Sequence, residues 1–136
     1  MRSWQDRESV QERRNGMIRI KRIYGKPDPS DGVRILVDRL WPRGMSRKDA
    51  RIEEWRKEFA PTDVLRKWFH QDPGRWEEFQ LRYRKELEAA GKRNDLRKLG
   101  ERARTETVTL LYASRDESRN HATVLKKIIE TLSRSR

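Results

Sequence analysis

The chain has 136 residues, a length that suits one domain, with 34 Lys plus Arg against 22 Asp plus Glu and a formal net charge of +12. Only 33% of residues are hydrophobic and 41% are charged, so the core must be small and the surface largely ionic. The absence of cysteine excludes disulfides, a thiol nucleophile, an iron–sulfur cluster and a thiolate zinc site. No apolar run approaches the ~20 residues needed to cross a bilayer, and the N-terminus lacks the apolar stretch of a signal peptide. A cytoplasmic protein without membrane contact is expected.

In chain order, residues 1–16 are polar and mixed in charge, with Trp4 and Val10 as the apolar members, and read as a flexible extension. From Ile18 to Tyr24, Ile18 and Ile20 alternate with Arg19 and Lys21, the period of a half-exposed strand. Residues 25–32, with two Gly, two Pro and two Asp, read as a loop. VRILVDRL, residues 33–40, holds a continuous β-rich run that suggests a strand covered on both faces. Residues 41–50 read as a second loop, and 51–60 fit either a helix or a short strand.

Thr62 then caps a helix with Val64, Leu65, Trp68 and Phe69 on its buried face. Asp72-Pro73 marks another helix start, ahead of Trp76, Phe79, Tyr83, Leu87 and Ala90, with Gly91 ending it. A shorter helix is expected over about Asn94 to Arg104, a buried strand over 108–113, and a last helix from about Arg119 with Ala122, Leu125, Ile128, Ile129 and Leu132 on one face. The order β, β, helices, β, α implies a single α/β domain over 17–136 with a small, at least partly parallel sheet.

Ligands in open α/β sheets bind beyond the C-terminal ends of the strands. Two such ends carry reactive or charged groups: Asp38, Arg39, Trp41 and Arg43 after one strand, and Tyr112, Arg115, Asn120 and His121 after another. Arg39, Arg43 and Arg115 offer bidentate contacts to an anion, and a helix starting near Asn120 adds free N–H groups. Asp38 and His121 are the acid–base candidates, since imidazole titrates near neutral pH. Each has a plainer reading: Asp38 as a loop-fixing partner of Arg39 or Arg43, Trp41 as a cover over the core, His121 as a capping or packing residue. His70, at a helix end, reads as a partner of the helix dipole.

Two histidines 51 positions apart make a dedicated metal site improbable, and no Gly-rich phosphate loop is present. No cofactor is expected. The Arg-rich stretch 75–93 is diluted by Glu77, Glu78, Glu86 and Glu88, which favours a solvated ion-pair surface over a phosphate-tracking one.

Taken together, IKRIYGKPDPSDGVRILVDRLWPRGMSRKDARIEEWRKEFAPT, LRKWFHQDPGRWEEFQLRYRKEL and VTLLYASRDESRNHATVL resemble the YeaO-like branch of the uncharacterised family called domain of unknown function 488. The resemblance covers roughly residues 17–130, and it implies a compact α/β fold without an assigned reaction. Relatives in the wider family often carry a Cys-His-Arg run after the last strand. By that resemblance His121 matches the histidine, while Asn120 stands for the cysteine and Ala122 for the arginine, so a thiol mechanism is closed to this chain. The resulting expectation is a protein that binds, and in one version processes, an anionic, phosphate-bearing small molecule between the 38–46 and 112–121 loops. The alternatives are a charge-driven nucleic-acid-binding module and an interaction subunit without catalysis.

Overall fold

The computed structural model describes residues 16–134. Four strands, β1 (Met17–Arg22), β2 (Val33–Leu36), β3 (Glu54–Trp55) and β4 (Thr107–Tyr112), form one sheet in the order β1-β4-β2-β3. Every neighbouring pair is parallel, with Ile18 opposite Val108, Ile35 opposite Leu110, and Leu36 opposite Trp55. Parallel neighbours need long connections rather than tight hairpins. Here α1 (Arg47–Ala50) lies between β2 and β3. Three longer helices, α2 (Asp63–Gln71), α3 (Trp76–Ala89) and α4 (Arg93–Arg102), separate β3 from β4, and α5 (His121–Arg134) follows the last strand. The α/β architecture expected from the order of elements is present, and the sheet is wholly parallel.

Strand periodicity divides the core in two. Val33, Ile35, Val37, Val108, Leu110 and Tyr112 face the helices, where Leu65, Phe79, Tyr83, Leu87, Leu96 and Leu125 join them in one buried cluster. The intervening Leu36 and Leu111 point the other way, into a thin layer with Ile23 and Ala50 that Trp41, Met45, Ile52 and Trp55 cover. The sheet is therefore thick on one face and thin on the other, which is how a chain with few apolar residues buries both faces of its central strands.

Several element limits differ from the sequence reading. The strand expected over 33–40 ends at Leu36: the Val37 amide still donates to the Leu111 carbonyl of β4, but the Val37 carbonyl faces His121 of α5, and Asp38 reaches the Ala113 amide through its side chain. The loop expected over 41–50 contains α1, capped by Ser46, whose hydroxyl accepts the Asp49 amide. Within 51–60 the strand alternative holds at Glu54–Trp55, followed by a 3₁₀ turn at Lys57–Phe59. Pro73 opens a 3₁₀ turn of its own ahead of α3. Of the extension expected over 1–16, residues 1–15 lie outside the described residues.

At the N-terminal edge of the sheet, Asp31 is buried and pairs with two cations. Its carboxylate lies 2.6 Å from Arg34 Nη1 and 3.0 Å from Lys21 Nζ. Arg34 in turn donates to the carbonyls of Ala50 and Arg51, and the Asp31 carbonyl accepts the Thr109 hydroxyl. A buried arginine is tolerated in β2 because these acceptors replace the water it loses. Gly32 has φ 64°, and a Cβ there would strike the Thr107 carbonyl oxygen, so this turn needs a glycine to bring β2 against β4.

Candidate functional site

Because all four strands run the same way, their C-terminal ends open on one edge. The cleft there has a volume of about 600 Å³, within the range of small-molecule sites. Its walls come from the 38–43 segment after β2, the 60–70 segment at the start of α2, and the 113–121 segment between β4 and α5.

Each wall is fixed locally. Thr62 caps α2 by accepting the Leu65 amide, while the Glu86 carboxylate of α3 accepts both the amide and the hydroxyl of Thr62. On the 113–121 wall, the Asp116 carboxylate accepts the amides of Ser118 and Arg119, which holds its carboxyl below the usual range. Asn120 caps α5, accepting the Thr123 amide at 3.0 Å and donating to the Asp116 carbonyl at 2.9 Å. The amides of Ser118, Arg119 and Thr123 are thus already committed, so an incoming anion would depend on side chains more than on the helix start.

Asp38 and His121 meet at the base of the cleft. Nε2 of His121 lies 3.0 Å from Asp38 Oδ1 and 3.0 Å from the Val37 carbonyl oxygen. An atom that faces two acceptors carries the proton of the neutral ring, which leaves Nδ1 as the acceptor. The N–H is directed at Val37, so Oδ1 stays buried beside the imidazole without a full hydrogen bond. Oδ2 accepts the Ala113 amide at 3.0 Å, and the Asp38 carbonyl accepts Trp55 Nε1 at 2.7 Å. The pair therefore ties the ends of β2 and β4 to the first residue of α5. The plainer sequence reading, in which Asp38 pairs with Arg39 or Arg43, is corrected: its partners are His121 and a backbone amide.

The remaining sequence candidates separate clearly. Arg39 lines the cleft, but its guanidinium donates to the carbonyls of Pro61 (3.2 Å) and Ala60 (3.4 Å), bracing one wall against another. Arg43 and Arg115 line the cleft, are exposed, and have no acidic partner among the described residues. Trp41 is half-buried, donates to the Met45 carbonyl and packs edge-on to Trp55 at 5.3 Å, so its covering role and its place on the wall coexist. Asn120 lines the cleft as a helix cap. Tyr112 is 2% exposed, lies in the core and is not among the lining residues.

Sequence reasoning missed Tyr24, Arg66, Phe69, His70 and Arg119, all of which line the cleft. Arg119 is exposed and makes no ion pair among the described residues, although its charge helps to lower the nearby Asp116 carboxyl on the same wall, whereas Arg66 pairs with Asp63 at 2.8 Å. The signal for Arg119 was its position one residue before the Asn120 cap. Nothing in the order of elements marked the α2 residues, because only the tertiary fold brings α2 to this edge. No group of three or more His, Asp or Glu suited to a metal ion occurs among the described residues. Nor is any helix among them long and apolar enough to cross a membrane.

Comparison with known proteins adds to this geometry. The model of the family described as "Inactive DUF488-N3 subclade" matches residues 17–136. The chain belongs to the DUF488 family. Among its DUF488 relatives is the uncharacterised protein YeaO of Escherichia coli strain K12, 42% identical over 118 residues that cover 85% of this chain and 98% of YeaO. An uncharacterised protein of Mycobacterium tuberculosis strain H37Rv is 41% identical over 116 residues, 85% of this chain and 96% of the relative. No solved structure matches this DUF488 chain.

Proposed function

We propose that this protein binds an anionic, phosphate-bearing small molecule in the cleft at the C-terminal strand ends, with Asp38 as a structural residue beneath it. The observation that carries the reading is the set Arg43, Arg115 and Arg119: three exposed guanidinium groups on two walls of one cleft, none paired with a carboxylate among the described residues. Guanidinium forks match phosphate oxygens in bidentate geometry, and such charge-assisted bonds are the stronger ones. Several arginines outside the cleft are matched at close range, as in Arg82–Glu78, Arg93–Glu88 and Arg102–Glu106, and within it Arg66 pairs with Asp63. That interleaving weighs against a nucleic-acid interface built on net charge.

Asp38 reads as a structural residue. A general base must reach the proton it removes. Oδ1 of Asp38 is buried and Oδ2 holds the Ala113 amide, which closes this carboxylate to that role. Nε2 of His121 is likewise held, by the Val37 carbonyl, which leaves Nδ1 as the one ring nitrogen open to a ligand. A structural use for Asp38 accords with the description of the matching subclade as inactive.

Calorimetric titration of ribose 5-phosphate tests the proposal, using the native chain and the Arg115→Glu, Arg119→Glu double variant. The native protein is expected to bind and the variant to lose most of that affinity. Absence of binding to phosphate-bearing compounds, or equal binding by both proteins, removes the reading.

A further inference from the structure

The walls of the cleft differ in character. Arg115 and Arg119 stand on the wall between β4 and α5. The wall contributed by the 60–70 segment carries an apolar surface of Ala60, Pro61 and Phe69 flanked by Arg66 and His70, and Phe79 of α3 lies beside them. Phe69 is the centre of that wall. It stacks on Phe79 at 4.5 Å between ring centroids with an interplanar angle of 24°, and sits 5.7 Å from Trp76. Only part of Phe69 is buried, and the remainder lines the cleft. Leu40, on the rim, is 65% exposed. A site meant for bare phosphate or a small sugar phosphate has no use for exposed aromatic and aliphatic surface, because polar ligands gain nothing from covering it.

We infer that the ligand is a phosphate monoester of a flat aromatic group, of about nucleotide size, whose ring covers Phe69 while its phosphate engages Arg115 and Arg119. The inference rests on the anion-binding reading above and adds the class of the ligand's other half. Aromatic partners of Phe69 gain from ring-to-ring contact as well as from area. The two halves of the ligand meet different walls, so each half contributes to affinity separately.

The test is a calorimetric comparison of four compounds on the full native chain: AMP, ribose 5-phosphate, adenosine and inorganic phosphate. AMP is expected to bind at least about tenfold more tightly than ribose 5-phosphate, the size of effect that one good ring contact supplies. Adenosine and inorganic phosphate are expected to bind more weakly than AMP. Phe69→Leu keeps apolar volume and removes the ring; it should bring AMP down toward ribose 5-phosphate while leaving ribose 5-phosphate itself unchanged. Equal binding of AMP and ribose 5-phosphate overturns the aromatic half and leaves the anion reading standing. Adenosine binding as tightly as AMP overturns the anion reading, and no binding by any of the four removes both.

Discussion

His121 and Asp38 face each other at 3.0 Å across the junction of β2 and α5, 83 residues apart in the chain. Each has a second contact within the same junction, His121 to the Val37 carbonyl and Asp38 to the Ala113 amide. Three elements are thereby joined at the base of the cleft, and the loss should register in stability. Replacing His121 by Ala is expected to cost on the order of 1–3 kcal/mol, since it leaves the carbonyl of buried Val37 without its partner. Denaturant unfolding of His121→Ala, Asp38→Asn and the double variant should give a coupling energy of about 1 kcal/mol. Additive losses would mean the two side chains act independently.

The ion cluster at the opposite edge predicts a pH dependence. Burial by itself would raise the Asp31 carboxyl, but Lys21, the Asp28 amide and Arg34 together hold it below the ordinary 3.8. A carboxyl lowered in the folded state adds stability above its unfolded value and loses that contribution as pH falls through the folded one. Asp31→Asn should therefore cost on the order of 3 kcal/mol at neutral pH, leaving Arg34 buried without its counter-charge. The difference between native and variant should shrink as acid brings the pH below about 4. Urea unfolding at a series of pH values checks this, and a constant difference would contradict it.

Tyr83 makes a third point of contact between helix and loop. It is fully buried, and its hydroxyl donates to the Phe59 carbonyl. Burial, followed by the charges of Asp38 and Glu86, pushes its phenol well above the ordinary 10.0. Burial and then Glu117 also raise Tyr112. Of the three tyrosines, these two should resist ionisation in an ultraviolet titration until the protein unfolds. Smooth ionisation of all three near their ordinary value in the folded state would contradict the packing.

The fold was largely legible in the sequence. The alternation in β1, the continuous apolar run of β2 and β4, and the Thr62 cap all mark local physics that tertiary structure did not override. Residues 33–40 show where local reading fails. Nothing in their pattern says that the Val37 carbonyl and the Asp38 carboxylate will meet His121, because the partner lies far along the chain. The site was half legible for the same reason. The ends of β2 and β4 announced Asp38, Arg43 and Arg115, whereas Phe69 and His70 reach the cleft only through the packing of α2, which no local motif encodes. Tyr112 failed in the opposite direction: as the last residue of a strand it looked available, but strand alternation turns it into the helix-facing core.

The central claim is that unpaired arginines at the strand ends hold a phosphate group. It is tested most directly by titrating ribose 5-phosphate and AMP into the native chain and the Arg115→Glu, Arg119→Glu variant at low ionic strength. Both substitutions are at exposed positions, so the variant should unfold at nearly the native temperature. Binding to the native chain and a loss of about a hundredfold or more in the variant is the predicted result, since each charge-assisted bond contributes roughly 1.5–3 kcal/mol. Equal affinity in the two proteins, or no affinity in either, would contradict the account.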